Sequence, residues 1–292
     1  MLYNISNQIT IIYIFNLKYA LNYSTFYGKI KLIIIYYVVI LIANRRLVSL
    51  NGDNMPNYKI ADLCIKINPL YERTKQRLAP YLTDSDDIDF EISVSENEIY
   101  ERISKSEIQY SKSEHESTLI LTKLCHKLLE NYNGLFFHSS SLMLDGEGYV
   151  FTAPSGTGKS THTALWRKHF GERITMINDD KPLIRQSGEN FFIYGTPWMG
   201  KSNIGNNVKA KVKAVFVLKR GKQNSVKRVS ISEVFKEILE ATIVPKEKAM
   251  MSNLLSLLDK FFTKVPIYLL YCDISDEAVL TAYNAANTQN SL

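Results

Sequence analysis

From Met55 onward, apolar and polar residues fall into short runs separated by turn residues. Residues 58–67 and 88–94 ("IDFEISV") alternate with a period of two and read as strands. Ser95 and Glu98 frame a capping box, which predicts a short helix near 96–104. From Glu114 to Tyr132 the pattern becomes helical. Leu119, Leu121, Leu124, Leu128 and Leu129 form an apolar stripe, and "NYNG" ends it.

The rest of the chain alternates strands and helices. "LFFHSSSLML" and "YVFTA" are strand-like runs joined by the hairpin signal "DGEG". A glycine-rich loop follows, then a helix through Phe170. "ERITMINDD" is a short strand ending in two acids. "KPLIR", "QSGEN" and "FFIYG" predict a second hairpin, and "KAVFVLKR" a buried strand. Ser232–Thr242 and Lys246–Phe262 read as helices. "PIYLLYCDI" reads as a strand, and a last helix is expected to be capped by Ser275. The expected fold is α/β, a nucleotide-binding core built on a mixed sheet. Its regions are an N-terminal α/β region, 55–132, and a catalytic domain, 133–292.

Residues 1–54 have a different character. "KLIIIYYVVILIANRR" ends in two arginines like a membrane anchor, but its unbroken apolar run, Leu32–Ala43, is only 12 residues. Extended back, an anchor over residues 29–46 takes in Lys29 and Lys31. The other reading is upstream DNA translated ahead of the true start. The codons of Gly52–Asp53 can form a purine-rich ribosome-binding sequence just before Met55.

Composition adds little. The chain is 46% hydrophobic and 22% charged, as in ordinary soluble domains. Of the net charge of +6, residues 1–54 supply +4, so the basic balance gives no reason to expect a nucleic-acid partner. Cys64, Cys125 and Cys272 are scattered and odd in number, which points away from disulfides or zinc and toward a cytoplasmic location. The anchor reading would place the chain on a membrane instead.

The candidate chemistry starts at "APSGTGKS". Set between a strand and a helix, it fits a phosphate-binding loop with Ala153 in place of the usual first glycine. Ala153, Pro154, Ser155, Gly156, Thr157, Gly158, Lys159, Ser160 and Thr161 are the expected ATP-binding residues. Gly156 and Gly158 let backbone amides turn toward anionic oxygens. Lys159 is expected on the β- and γ-phosphates, and the Ser160 hydroxyl on Mg²⁺. Asp179 and Asp180 end the next strand. There one acid can hold Mg²⁺ while the other accepts a proton from an incoming hydroxyl. His138 precedes the hairpin that feeds the loop. A lone histidine in a strand is more often a core residue than a ligand.

Taken together, "HSSS", "FTAPSGTGKST" and "INDD" resemble the core shared by HPr kinase/phosphorylase and ATP-dependent phosphoenolpyruvate carboxykinase. The resemblance covers about residues 135–290 and is strongest over 135–185. It implies a histidine beside the reacting phosphate at His138, the metal-side acid at Asp179 and the acid/base at Asp180, with the two acids able to trade roles. "YGTPWMGK" resembles a smaller group of HPr-kinase-related proteins. It adds Lys201 as a residue that neutralises transferring charge and Trp198 as a cover for the site. Arg185 and Arg220 are weaker candidates.

The chain departs from the family at Thr161, where the kinases usually have Glu, and at "GTPWMGK", where they carry a glycine-rich signature. The 238 residues from Met55 are about half a carboxykinase. The expected activity is therefore HPr-kinase-like transfer of the ATP γ-phosphoryl to a serine-type hydroxyl on a protein, peptide or small molecule. The alternatives are an ATP-binding switch without transfer and a truncated carboxykinase-like protein. The family also suggests a homo-oligomer.

Overall fold

The computed structural model describes residues 55–288. Both readings of residues 1–54 fall outside them. No helix among the described residues is long and apolar enough to cross a membrane. Pro56 onward forms one compact unit.

Its first part is a three-stranded sheet: β1 (Asn57–Ile60), β2 (Leu63–Ile67) and β3 (Phe90–Ile92). Residues 58–67 are thus not one strand. The chain reverses at Ala61 and Asp62, both with positive φ (55° and 61°), and Ile60 pairs with Leu63. Such a turn normally uses Asn-Gly or Asp-Gly. Here tertiary bonds fix it: Tyr194 Oη and Lys209 Nζ both donate to Asp62. Three helices accompany this sheet: α1 (Glu72–Leu78), α2 (Glu96–Ser104) and α3 (Lys112–Asn131). The Ser95–Glu98 capping box is present, and α3 carries a second one, Ser111–Glu114. The apolar stripe of α3 (Leu121, Leu124, Leu128) packs in one core with Ile65, Ile67, Leu183, Tyr194 and Trp198. Each such burial contributes about 1.5–3 kcal/mol.

The second part is a nine-stranded mixed sheet. Its strands are β4 (Gly134–Phe136), β5 (Ser140–Leu144), β6 (Glu147–Thr152), β7 (Ile174–Asn178), β8 (Leu183–Ser187), β9 (Asn190–Tyr194), β10 (Lys209–Arg220), β11 (Ser225–Val229) and β12 (Ile267–Cys272). The order runs β4-β8-β9-β10-β6-β5-β7, with β12 also on β10 and β11 on β12. Strand β10 organises the sheet. One edge pairs with β6; the other pairs with β9 over Lys209–Lys211 and with β12 from Val215 on. Its side chains alternate between two cores. Val215 and Val217 join Val150, Leu258 and Phe261, while Phe216 and Leu218 join Tyr149, Phe151 and Trp166. The covering helices are α4 (Lys159–Phe170), α5 (Phe235–Glu240), α6 (Lys248–Lys264) and α7 (Asp276–Asn287). Ser275 stands at the N-cap of α7 but does not cap it; its hydroxyl donates to Asp273 instead.

The run "LFFHSSSLML" splits into two strands. Strand β4 pairs with β8, and β5 lies between β6 and β7. The break carries His138. Across it Phe137 N donates to the Pro182 carbonyl and Ser139 N to the Asp180 carbonyl. These bonds carry the antiparallel pairing from β4–β8 through to β5–β7, so residues 137–139 run directly alongside 180–182.

Candidate functional site

Topology brings the three motifs to one end of the sheet. Strand β6 runs parallel to β10 and antiparallel to β5, which is antiparallel to β7. The carboxyl ends of β6 and β7 and the start of β5 therefore coincide. Strand β6 runs into the glycine loop there, β7 into Asp179–Asp180, and His138–Ser140 lead into β5.

The loop occupies Ala153–Gly158, and Gly158 is the N-cap of α4 with φ 122° and ψ 20°. A side chain there would be strained, so the glycine is required by the entry into the helix. Lys159 is buried at the first helical position, and its Nζ donates to the Ala153 carbonyl at 2.9 Å. Burial lowers its pKa, against the charges of Asp180 and Asp179, which raise it. Pro154, Ser155, Gly156, Ser160 and Thr161 are exposed, and Thr157 and Gly158 half-buried. Pro154–Thr157 line a cavity of about 430 Å³ with Leu218, Lys219 and Arg220.

The two aspartates have different surroundings. Asp179 is buried and faces α4: Ser140 Oγ donates to its Oδ1 at 2.6 Å and lies 2.8 Å from Thr163 Oγ1. Thr163 in turn bonds the Ser160 carbonyl at 3.2 Å. The Ser140 and Thr163 hydroxyls thus tie Asp179 to the Ser160 carbonyl in the first turn of α4. Asp180 has other partners. His138 Nε2 lies 3.1 Å from its Oδ1, and Lys181 Nζ contacts Oδ2. Burial pushes the Asp180 carboxyl up, but the hydrogen bonds and charges of His138 and Lys181 outweigh it. Its pKa lies below the usual carboxylate value.

Asn178 sets this divergence. Its Oδ1 accepts from the Asp180 and Lys181 amides at 2.9 and 2.8 Å, and its Nδ2 donates to Thr196. From sequence the strand runs on through Asp179 and Asp180; in the structure it ends at Asn178. The role of Asn178 as the clamp of the acidic turn comes only with the fold. An Asn immediately before a polar turn is the one signal that could have suggested it.

The "TPWMGKSN" segment closes over the acids through its backbone. Gly200 has φ 67°, and a Cβ built there would lie 2.8 Å from the Asp180 Cβ. Ser202 Oγ donates to Asp179 Oδ2 at 2.7 Å. Lys201, between them, is exposed at the margin of the site.

Two expectations are corrected. Trp198 does not cover the site. It is buried in the core of the N-terminal part, and its Nε1 donates to the Ser117 carbonyl and Oγ at 3.1 and 2.9 Å. Arg185 is structural, donating to the Tyr132 and Ala61 carbonyls at 3.0 and 2.9 Å. Arg220 lies at the loop, where it bonds the Gly156 and Thr157 carbonyls.

No family model matches the chain, and no curated protein matches it in sequence. Among solved structures it is similar to the Hpr(Ser) kinase/phosphatase from Coxiella burnetii. The identity is 11%, the match covers 51% of this chain and 95% of that one, and the TM-score is 0.28. At that score the likeness supports no conclusion about activity.

Proposed function

We propose that the chain is an ATP-dependent phosphotransferase that moves the γ-phosphoryl to a serine-type hydroxyl. The observation that carries this is the His138 Nε2–Asp180 Oδ1 contact of 3.1 Å at the sheet end where the glycine loop opens. A binding module needs a loop and one metal-side acid. It has no use for a second acid gripped by a histidine and a lysine.

The residues fit Mg²⁺. The described residues contain no cluster of three or more His, Cys, Asp or Glu able to cage a metal. Mg²⁺ in phosphoryl-transfer sites uses one or two carboxylates plus substrate phosphates, so no cage is needed. Ser160 and Asp179 would hold the ion, which when bound offsets charge on the β- and γ-phosphates. The hydroxyl ties between Asp179 and the first turn of α4 support this assignment over the reverse.

Asp180 faces the acceptor. The hydroxyl oxygen forms a bond to the γ-phosphorus as the bond to the β-bridging oxygen breaks. The hydroxyl proton passes to Asp180, and ADP leaves. A carboxylate held below its usual pKa is a weak base, which suits a loose transition state governed by position and charge rather than by base strength. His138 orients Asp180. Lys159, Lys181 and Lys201 offset the charge of the phosphoryl group.

The test is Asp180→Asn, assayed with γ-labelled ATP and serine-bearing proteins, peptides and free amino acid. Transfer should fall by about a thousandfold or more, while ATP binding changes by less than about threefold. Full transfer by this variant would refute the assignment.

A further inference from the structure

We propose that Arg220, the last residue of β10, is a positioning residue that holds the glycine loop in its phosphate-receiving shape. This rests on the reading that the loop binds ATP.

The parallel register places Val217 beside Thr152, so Arg220 lies alongside the loop that follows β6. Its Nη2 donates to the Gly156 carbonyl at 2.6 Å and its Nε to the Thr157 carbonyl at 3.2 Å. In a trans peptide the carbonyl and the next amide point in opposite directions. Drawing the Thr157 carbonyl to Arg220 therefore aims the Gly158 amide away from the guanidinium. Drawing the Gly156 carbonyl there does the same for the Thr157 amide, which donates to the Pro154 carbonyl at 3.2 Å.

The alternative is a flipped loop. Gly156 and Gly158 have φ of 77° and 122°, and glycine crosses between such conformations with no side-chain barrier. A flipped peptide would turn a carbonyl oxygen toward an incoming phosphate and repel it. The two-pronged guanidinium removes that state before any ligand arrives. Lysine cannot copy this, because one ammonium lacks the planar fork that spans two carbonyls.

The experiment compares wild type, Arg220→Ala and Arg220→Lys. Calorimetry measures binding of ATP and of inorganic tripolyphosphate, and melting is recorded without ligand. Arg220→Ala should weaken both ligands by a similar factor, about tenfold or more, with the melting temperature little changed. Arg220→Lys should recover only part. Millimolar methylguanidinium should strengthen binding by Arg220→Ala and leave wild type unaffected. Should the alanine variant not fold, the lysine variant carries the test, expected several-fold weaker for both ligands. Unchanged affinity in the variants overturns the proposal. So does loss of ATP affinity alone with tripolyphosphate retained, which would place Arg220 on the nucleoside. Wild-type protein that binds neither ligand overturns the ATP reading and this inference with it.

Discussion

Glu116 and Asp180 are both shielded acids, but they are held by different kinds of partner. Glu116, on α3, is 0% exposed and accepts from the Leu70 and Tyr71 amides. Those amides belong to the N-cap of α1 and the residue before it, so Glu116 fastens the chain where the helix begins. Asp180 keeps a partly open side chain and is held by two side chains, His138 and Lys181. Backbone partners cannot leave without unfolding a helix end. Side-chain partners can swing to a substrate. The first arrangement suits stability and the second suits chemistry.

The sharpest test of the contrast is Glu116→Ala. It removes the acceptor of two partly buried amides, each worth about 1 kcal/mol, so a loss of about 2 kcal/mol in unfolding free energy is expected. Phosphoryl transfer by the folded fraction should be unchanged. Asp180→Asn should show the opposite profile, with transfer lost and denaturant midpoint nearly kept. If Glu116→Ala melted like wild type, or if Asp180→Asn unfolded, the contrast would not stand.

The second test asks what acid does to α4. His162 is buried; its Nε2 accepts from Trp166 Nε1 at 3.0 Å, and Nδ1 has no hydrogen-bond partner. Burial pushes its pKa down from 6.5 to about 4. The unfolded chain therefore binds the proton first, and stability falls as pH drops from 6.5 toward 4. Between pH 7 and pH 5 this one group should cost about 2 kcal/mol. His162→Gln keeps an acceptor for Trp166 and cannot titrate. Chemical denaturation at both pH values should show a smaller acid loss in the variant by that amount. An identical loss in both proteins would remove His162 from the account.

Local pattern reached some of this architecture and missed the rest for definable reasons. "DGEG" announces a turn because Asp145 and Gly146 tolerate the positive φ they adopt, 51° and 85°. Ala61–Asp62 adopts a similar turn with no such signal, because bonds from Tyr194 and Lys209, more than 130 positions away, hold it. The split of "LFFHSSSLML" was equally hidden. Both halves alternate like strands, and only their partners β8, β6 and β7 reveal a crossing at His138. That crossing places His138 on Asp180. Spacing could suggest that the motifs meet, but it could not orient the two acids. Their orientation depends on Asn178, Ser140 and Ser202, short polar side chains whose partners are set by tertiary structure.

Trp198 supplies the smallest effect and the finest test, because it joins the two acids. Its indole N–H bonds Ser117, next to Glu116, and two residues later Gly200 packs against Asp180. Trp198→Phe keeps most of the apolar burial and deletes the donor. The stability cost should be about 1 kcal/mol, the worth of one ordinary hydrogen bond. The effect on transfer shows how independent the two regions are. If the indole bond fixes where Gly200 sits, a shift of a fraction of an ångström reaches Asp180, and kcat should drop about two- to fivefold with ATP affinity unchanged. If kcat is unaltered, Asp180 is held by Asn178, His138 and Lys181 alone, and the surroundings of the two acids are independent. A fall in ATP affinity with kcat preserved would place the influence of Trp198 on the glycine loop, and the contrast between the two acids would then have to be redrawn around Asp179.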